Sequence, residues 1–444
     1  MDNILKKNTA ALASKLIQFD TTTGVKPEHD CIMFIKDLLE EAGISTELIY
    51  KDISRPNLKA VIPAAKTART VTAPPFVMYG HCDVVSVTGQ KWSVDPFAGE
   101  IKDGYLWGRG AIDMKGQLAM FIQVMLRIAE EKPELPFDVC LLVVSDEEGN
   151  SDYGMKYLVE NHPELFEDMK FAFGEIGGFS LKIAGKKLYP IQIAEKQVAE
   201  IKITARGAGG HASMSHKNTA MERLAGAVGK LSSQRLPVRI TPPVKYMIES
   251  MAKALGGAQG LVVKQLLNPA LTDKVLGLLG SAGNLFDPLL HNSLNVTIIG
   301  GGDAINVIPA EVWCRCDLRL VPLCSIEEAV EDIRKVIGEG FEIEVVRFDY
   351  GAKTVDMALF DGMARAIKEA DPEACPVPFV LSAVTDARFI ARAGVQSYGF
   401  TPMNLPEDYD FTDMAHNGDE RVPEAALQFG TETIYKYMMK EYMR

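Results

Sequence analysis

The stretch FDVCLLVVS, residues 137–145, decides the fold class of this chain. It is almost continuously apolar, and so is PFVMYG at residues 75–80. Strands that are apolar on both faces are typical of a parallel sheet with helices on both sides. Between the two runs, apolar residues recur at helical spacing from Leu118 to Ile128. This alternation, which extends over about residues 27–200, predicts an α/β domain.

A different pattern begins at Gln197. Strand-like and helix-like stretches follow in the order strand, helix, strand, strand, helix, strand, up to about Gly351. This order predicts a ferredoxin-like α+β unit with a helical insertion near residues 243–290. The α/β pattern then resumes through VQSYGF to a long terminal helix. We therefore predict one α/β domain built from residues 1–196 and 352–444, interrupted by an inserted domain over residues 197–351.

Composition and charge exclude some classes of partner. The 444 residues are 47% hydrophobic and 24% charged, which is ordinary for a globular protein with a large core. Lys and Arg number 47 against 59 Asp and Glu, and a net charge of -12 disfavours nucleic acids and anionic membranes as partners. No stretch reaches the roughly 18 continuous apolar residues of a membrane span. We expect a small-molecule substrate.

Seven cysteines are scattered along the chain, with no CxxC pair among them. An odd number without pairing argues against a disulfide framework and against a cysteine-based zinc site. A reducing, cytoplasmic location is therefore expected.

Three adjacent acids, Asp146, Glu147 and Glu148, directly follow the apolar run at residues 137–145. Their mutual repulsion is costly unless a cation lies among them or one carboxyl group holds a proton. The cluster is therefore a candidate cation site if other ligands exist, and a solvated turn if they do not.

Four further stretches could supply those ligands. His81 and Asp83 follow the strand at residues 75–80, and Asp113 precedes the predicted helix in GRGAIDMKG. Glu175 follows a short apolar run, and His416 lies in a polar loop before the last helix. Each has an ordinary structural interpretation in isolation: a histidine held by its neighbouring carboxylate, a helix N-cap, a polar turn and a surface histidine.

Together these stretches form a set of oxygen and nitrogen ligands without a thiolate, made of His81, Asp113, Glu148, Glu175 and His416. Such a set suits two Zn²⁺ ions bridged by one carboxylate, with Co²⁺ or Mn²⁺ as possible substitutes.

The ordered motifs resemble a known family. The series GHCDVV, DGYLWGRGAIDMKG, SDEEGN, GEIGG, GGHASMSHKNTA, NVIPAEVWCRCDLRL, TDARF and HNGDER runs through about residues 75–425. It resembles the co-catalytic zinc metallopeptidases and amidohydrolases that include carboxypeptidase S, aminoacylase, Gly-X carboxypeptidase and succinyl-diaminopimelate desuccinylase. Within that family it looks most like the carboxypeptidase S and N-acyl-amino-acid hydrolase branch. The resemblance implies a zinc-exopeptidase-like catalytic domain and an inserted domain that serves as lid and dimerisation domain.

The resemblance also implies how the metal ligands divide. His81 and Glu175 would be the terminal ligands of one zinc ion, Glu148 and His416 those of the other, and Asp113 would bridge both. A non-proline cis peptide bond between Asp113 and Met114 is implied as well.

Further roles carry over in the same way. Asp83 would orient His81, and Glu147 would be the general base that takes a proton from the attacking water. His211, from the inserted domain of a partner subunit, would stabilise the developing oxyanion. Asn306 and Arg319 would contact a substrate carboxylate, because an arginine fork can bind both carboxylate oxygens, and Arg388 is an alternative for that contact.

The sequence thus predicts a homodimeric hydrolase that cleaves an amide or peptide bond next to a free carboxylate, in a small peptide or an N-acyl amino acid. A dipeptidase or an aminopeptidase using the same metal site is one alternative. A catalytically silent metal-binding scaffold is another.

Overall fold

The computed structural model describes residues 3–65, 73–214 and 216–442, and the chain divides into two compact units. Unit 1 is built from residues within Met1–Ile193, Val355–Phe379 and Thr385–Arg444, and unit 2 from Ala194–Thr354 and Val380–Val384. The domain boundaries predicted after residues 196 and 351 lie close to these divisions.

The first part of unit 1 contains both helices and strands. Its helices are α1 (Thr9–Ile17), α2 (His29–Glu41), α3 (Lys115–Glu131) and α4 (Met155–Asn161), with a 3-10 turn at Pro163–Leu165. Its strands are β1 (Ser45–Ile49), β2 (Asn57–Ile62), β3 (Phe76–His81), β4 (Glu100–Lys102), β5 (Tyr105–Trp107), β6 (Val139–Val144), β7 (Phe171–Gly174), β8 (Leu181–Ile183) and β9 (Lys186–Glu195). Strands and helices alternate only from β5 through α3, β6 and α4 to β7.

The elements of unit 2 follow. Its strands are β10 (Gln197–Arg206), β11 (Gly210–His211), β12 (Ser293–Gly300), β13 (Val307–Ile308), β14 (Glu311–Leu320) and β15 (Phe341–Asp349). Its helices are α5 (Ala220–Ser233), α6 (Pro242–Leu255), α7 (Gly257–Lys264), α8 (Thr272–Leu279), α9 (Gly283–Leu290) and α10 (Ile326–Ile337), with 3-10 turns at Gln265–Leu267 and Gly280–Ala282.

The chain then returns to unit 1. The remaining elements are α11 (Phe360–Ala370), β16 (Cys375–Leu381), α12 (Ala387–Arg392), β17 (Gln396–Gly399), α13 (Phe411–Met414), β18 (Arg421–Pro423) and α14 (Glu424–Lys440). Among the described residues, no helix combines the length and apolar character needed to cross a bilayer.

The main sheet of unit 1 has a parallel centre. Its strand order is β1-β2-β6-β3-β7-β17-β9-β16, with β8 paired to β9. Strands β6, β3, β7 and β17 run parallel to one another, whereas the pairs β1-β2, β2-β6, β17-β9 and β8-β9 are antiparallel. Every residue of β3 and β6 is buried, which is why both strands are apolar without alternation. The predicted α/β class is confirmed.

Two features of this sheet position the site. Because β3, β6 and β7 are parallel, their carboxyl ends lie at the same edge of the sheet, where loops carry functional groups. Helix α3 packs closely after the loop that follows β5, since a Cβ atom at Gly116 would lie 2.1 Å from the carbonyl oxygen of Ala111. Glycine is therefore required where this loop enters the helix.

A small three-stranded sheet, in the order β18-β5-β4, brings distant segments together. Its hairpin turns at Asp103 and Gly104, whose φ angles of 54° and 79° suit a two-residue hairpin loop. Strand β18 pairs with β5, with Arg421 opposite Trp107. The backbone N–H of Gly108 also donates to the carbonyl of Glu420 at 2.9 Å. The loop after β5 is thus tied to the chain just before β18.

Unit 2 contains the predicted ferredoxin-like topology. Its sheet has the order β12-β14-β10-β15, and all three pairs are antiparallel. Helix α5 follows the first strand and α10 the third, which gives the β-α-β-β-α-β arrangement. The helical insertion consists of α6 to α9, between α5 and β12. Both α5 and α10 begin with a capping box, at Thr219 with Glu222 and at Ser325 with Glu328.

The core of unit 2 lies between this sheet and the helices α5 and α10. Alternate residues of β14 are buried, as expected of a strand with one face on the core. Buried side chains of β10 and β14, such as Ile203 and Leu318, belong to one cluster with Leu224 of α5 and Ile333 of α10.

Candidate metal centre

His81 ends strand β3 and points its ring at two carboxylates. Its side chain is 1% exposed, and Nε2 lies 3.3 Å from Asp113 Oδ1 and 3.6 Å from Glu175 Oε2. Nδ1 lies 3.0 Å from the backbone carbonyl oxygen of Asp83. Because a carbonyl oxygen can only accept, Nδ1 carries the proton of the neutral ring, and the Nε2 lone pair faces the carboxylates. This orientation allows Nε2 to ligate a cation.

The carboxylate of Asp83 contacts the acidic turn more closely than it contacts His81. Its Oδ1 accepts from the N–H of Glu147 at 3.1 Å, and its Oδ2 accepts from the N–H of Glu148 at 3.0 Å. The distance from Oδ1 to His81 Nδ1 is 3.4 Å, longer than the contact made by the carbonyl of the same residue. Asp83 therefore contacts His81 through its backbone carbonyl oxygen. Its carboxylate accepts from the backbone N–H groups of Glu147, the predicted base, and Glu148, a predicted ligand.

The acidic turn separates its three carboxylates. Asp146 has a φ angle of 66° and faces away from the other two. Its Oδ1 accepts from Arg55 Nη1 at 2.9 Å, and its Oδ2 accepts from the N–H of Asp152 at 2.9 Å. Asp146 thus caps its own turn, while Glu147 and Glu148 are left to face His81, Asp113 and His416.

Asp113 lies between two histidines. Its Oδ1 faces His81, and its Oδ2 lies 3.1 Å from Nε2 of His416. The same Nε2 atom of His416 lies 3.0 Å from Glu148 Oε1. The peptide bond between Asp113 and Met114 is cis.

A buried glutamate anchors the loop that presents Asp113. The carboxylate of Glu420 accepts from the backbone N–H groups of Gly110, Ile112 and Asp113 at 3.1, 2.7 and 3.2 Å. It also accepts from Arg109 Nη1 at 2.6 Å, and both side chains of this ion pair are at most 1% exposed. One carboxylate thus holds three backbone N–H groups and one side chain of the loop that leads to the cis bond.

The predicted ligands form two groups that share one residue. His81, Asp113 and Glu175 offer ligand atoms within 4.8 Å of one another, and so do Asp113, Glu148 and His416. The first group is largely buried, whereas the side chain of His416 in the second is 49% exposed. Glu147 belongs to neither group, and its Oε2 lies 3.9 Å from His81 Nε2.

The residues present fit a pair of cations. Two buried polar atoms that face each other, His81 Nε2 and Asp113 Oδ1, have no hydrogen-bond partner among the described residues. Buried polar atoms are normally satisfied, so both are suitable as ligands. All members of the two groups are imidazoles or carboxylates, a donor set that suits Zn²⁺, Co²⁺ or Mn²⁺.

The electrostatics of the site point the same way. Burial, together with the charge of Asp113, raises the pKa of Glu175 to about 8. Burial and the charge of Glu175 raise the pKa of Glu147 well above its usual value. Hydrogen bonds to Asp113 and Glu148 raise the pKa of His416 to about 10. Carboxylates this crowded are stabilised as anions by positive charge, which two divalent cations would supply.

The other predicted site residues of unit 2 lie on strand β11 (His211), in the turn before β13 (Asn306) and on strand β14 (Arg319). His211 (β11) is exposed. The next residue, Ala212, donates its N–H to the carbonyl of Asn306, so the predicted residues His211 and Asn306 lie close together. The N–H of Ser213 donates to Nδ1 of His211 at 3.2 Å, which leaves the proton of the neutral ring on Nε2. Arg319 (β14) forms a forked ion pair with Asp317, at 2.7 and 3.0 Å.

Arg388 lies in α12 of unit 1 and is 7% exposed. Its Nη1 donates to the carbonyl of Thr385 at 2.6 Å, and its guanidinium lies 4.3 Å from the ring centre of Phe389. The side chain is therefore held by its own helix.

Several residues of the site were not predicted from the sequence. Glu420 and Arg109 anchor the Asp113 loop, and Gln90 Oε1 accepts from Arg109 Nη2 at 2.5 Å. At the far end of the acidic turn, Ser151 Oγ donates to the buried Asp386 at 2.6 Å. The available signals were weak: an arginine between two glycines, and a glutamate four residues after His416.

Comparisons with known proteins agree with this architecture. The sequence profile of Peptidase family M20/M25/M40 matches residues 77–440. Aminoacylase-1 of Sus scrofa is 27% identical over 430 residues, which cover 94% of this chain and 91% of that protein.

Two solved structures share the fold. The M20 family metallo-carboxypeptidase Sso-CP2 from Sulfolobus solfataricus has a TM-score of 0.64 at 18% identity, covering 99% of this chain and 100% of that one. YXEP of Bacillus subtilis, described as a dinuclear metal binding peptidase from the M20 family, has a TM-score of 0.61 at 13% identity, covering 99% of each chain.

Proposed function

The chain belongs to Peptidase family M20/M25/M40, and from this premise we propose that it hydrolyses an amide or peptide bond next to a free carboxylate. Its substrate would be a small peptide or an N-acyl amino acid, so the enzyme would act as a carboxypeptidase or an N-acyl-amino-acid amidohydrolase. That it is a metal-dependent hydrolase follows from the family and from its aminoacylase relative.

One observation carries the proposal. Asp113 lies in both ligand groups, with Oδ1 facing His81 and Oδ2 facing His416. A carboxylate in this position can bridge two cations, and the two terminal pairs of ligands lie on either side of it. We propose two Zn²⁺ ions as the native metals. When bound, the ions would polarise the scissile carbonyl and make a water molecule acidic.

Glu147 is the proposed general base. Its Oε2 lies 3.9 Å from His81 Nε2, and Glu147 is a member of neither ligand group. Asp83 holds the backbone N–H of Glu147, and this bond fixes the turn from which the side chain projects. Glu147 would take a proton from the attacking water at one carboxylate oxygen and donate it to the leaving amine nitrogen.

Three residues of unit 2 are proposed to contact the substrate. Nε2 of His211 carries the proton of the neutral ring and can donate to a developing oxyanion. Asn306 and Arg319 are proposed to bind the substrate carboxylate, with Arg388 of unit 1 as the alternative. Arg319 is already paired with Asp317, so substrate binding at Arg319 would have to replace or share that ion pair.

We also propose a homodimer that forms through unit 2, in which His211 serves the partner's active site. Strand β12 is an edge of its sheet, and its Ile298 and Ile299 are 49% and 61% exposed. Exposed aliphatic side chains on a sheet edge are typical of a surface that pairs with another chain. Sedimentation of the active protein tests this part, and a fully active monomer would contradict it.

A reducing, cytoplasmic compartment is proposed from the cysteines. All seven are free thiols, and six of them are buried. Fractionation of the source cells tests this location.

The proposed activity is tested with a panel of N-acyl amino acids and free dipeptides. The protein is first stripped of metal and then supplied with Zn²⁺, Co²⁺ or Mn²⁺. We expect turnover of blocked N-acyl amino acids and loss of turnover when the substrate carboxylate is amidated. Glu147→Gln tests the proposed base. Glu160→Gln makes the same chemical change at an exposed position and is the control. Turnover of dipeptides alone would favour a dipeptidase, and no turnover with any metal would contradict the proposal.

A further inference from the structure

Residues 90–93 make three separate contacts with the loop that carries His416. Gln90 Nε2 donates to the carbonyl of His416 at 2.8 Å. The N–H and the Oγ of Ser93 donate to the two carboxylate oxygens of Asp419, both at 2.6 Å. Between them, Gly418 lies so close to Lys91 that a Cβ atom would be 2.1 Å from the Lys91 carbonyl oxygen. We call residues 90–93 the clamp segment.

The His416 loop depends on such contacts because little regular structure supports it. Helix α13 ends at Met414, and β18 begins at Arg421. His416 and Asp419 have φ angles of 60° and 59°, in the left-handed region that non-glycine residues rarely adopt. A backbone conformation of this kind persists when surrounding contacts hold it in place. The clamp segment supplies contacts on both sides of Gly418.

The clamp segment is also connected to the bridging carboxylate. Oε1 of Gln90 accepts from Arg109 Nη2, while Arg109 Nη1 donates to Glu420. Glu420 in turn accepts from the N–H of Asp113 at 3.2 Å. The amide of Gln90 therefore joins the two loops that present His416 and Asp113, and it uses its donor for one and its acceptor for the other.

We propose that Gln90 and the clamp segment are positioning residues for the second ligand group, Asp113 with Glu148 and His416. They act mainly on the affinity of the cation bound there, because His416 belongs to this group alone, whereas Asp113 is shared with the group of His81 and Glu175. The inference rests on the proposed two-metal function. Partners that orient metal ligands typically change metal affinity by about 10- to 100-fold when removed.

The test measures Zn²⁺ binding directly, by competition with a fluorescent chelator, on full-length protein stripped of metal. Gln90→Met removes both polar contacts. Gln90→Glu keeps an acceptor for Arg109, replaces the donor to the His416 carbonyl by an oxygen and adds a negative charge. Gly418→Ala pushes the loop away from the Lys91 carbonyl oxygen without removing a polar group. Gln18→Met is the matched control, because its amide also donates to a backbone carbonyl, that of Ala98, at 3.4 Å.

We expect the Zn²⁺ dissociation constant of the second ligand group, identified as the one lost in His416→Ala, to rise about tenfold or more in the three test variants. The constant of the group of His81 and Glu175 should rise less than that of the second group, and Gln18→Met should change neither constant. In a His416→Ala background, which retains the first ligand group, Gln90→Met should change the affinity of the remaining ion less than it changes the constant of the second group in the wild-type background. The thermal midpoint of the metal-free protein is the second readout, because a general structural role would lower it.

Each outcome decides one of the two claims. Wild-type protein that binds fewer than two Zn²⁺ ions would overturn the proposed function itself. Two ions in wild type together with unchanged constants in Gln90→Met and Gly418→Ala would overturn the positioning role. If Gln90→Glu alone kept the wild-type dissociation constant of the second ligand group, the positioning role would also be overturned, because the donor to the His416 carbonyl would then have no effect. A lowered midpoint of the metal-free variants with unchanged constants would show a merely structural role.

Discussion

Replacing Glu420 by glutamine should destabilise unit 1 strongly, although the two side chains have nearly the same shape. The carboxylate accepts four hydrogen bonds, three from backbone N–H groups of the Asp113 loop and one from Arg109. A glutamine side chain has one accepting oxygen, so its NH₂ group would face two donors. Hydrogen bonds to a charged group contribute roughly 1.5–3 kcal/mol each.

The ion pair raises this cost. Arg109 and Glu420 are 1% and 0% exposed, and removing one partner of a buried pair typically costs about 3–5 kcal/mol. These contributions overlap because they involve the same atoms, so we expect a total of about 3–5 kcal/mol. For a unit of this size the thermal midpoint should fall on the order of 10 °C.

The measurement is thermal and urea unfolding of the metal-free protein, followed by tryptophan fluorescence. Trp92 is a suitable reporter because its ring centre lies 5.3 Å from the Arg109 guanidinium. The matched control is Glu407→Gln, which breaks an ion pair with Lys182 whose side chains are 75% and 43% exposed. Exposed pairs contribute about 0–1 kcal/mol, so this control should barely move the midpoint. A Glu420→Gln protein that melts within about 2 °C of wild type would refute the reasoning.

Three further predictions concern Glu147, Asp83 and Glu28. Glu147→Gln should lower kcat by about 10²- to 10⁴-fold while the protein still binds two metal ions, as measured by initial rates and elemental analysis; an equally active variant would remove the proposed base. Asp83→Asn should lower kcat or metal affinity by about 10- to 100-fold, because one of its oxygens would become a donor facing the N–H of Glu147 or Glu148; unchanged kinetics and binding would contradict this. Burial, and next the charge of Asp83, raise the pKa of Glu28 from 4.5 to about 7. The stability that the protonated Glu28 contributes is therefore complete below pH 4.5, and it is lost as the pH rises through 7. Glu28→Gln stays neutral at every pH and should gain up to about 3 kcal/mol relative to wild type between pH 5 and pH 8 in urea unfolding; parallel pH profiles of the two proteins would count against it.

Much of the fold could be predicted from the sequence because the deciding signals are local. A run such as FDVCLLVVS has no alternation, and its short length and its valines favour a strand buried on both faces. The Thr219 and Ser325 capping boxes and the turn at Asp103 each depend on residues within three or four positions. The candidate metal ligands could be identified from the sequence for the same reason, since each comes after a recognisable strand or before a recognisable helix.

The contacts that hold these ligands could not be predicted, because they join residues far apart in the chain. Glu420 is separated by about 310 positions from the loop it anchors, and many other acids could have occupied its place by sequence alone. Gln90 similarly has no local signal that would connect it to His416.

The three adjacent acids show where the limit lies. The sequence by itself determined that a cluster of carboxylates follows a buried strand, and that such a cluster requires a cation, a proton or solvent. The chemistry of the three residues did not determine which of them contacts which neighbour, because all three are carboxylic acids. Only the tertiary structure decided these contacts: Asp146, with a left-handed backbone, pairs with Arg55, and Asp83 holds the N–H groups of Glu147 and Glu148. Side-chain direction depends on the path of the backbone and on partners brought in by distant segments, and neither is encoded in the identity of the residue.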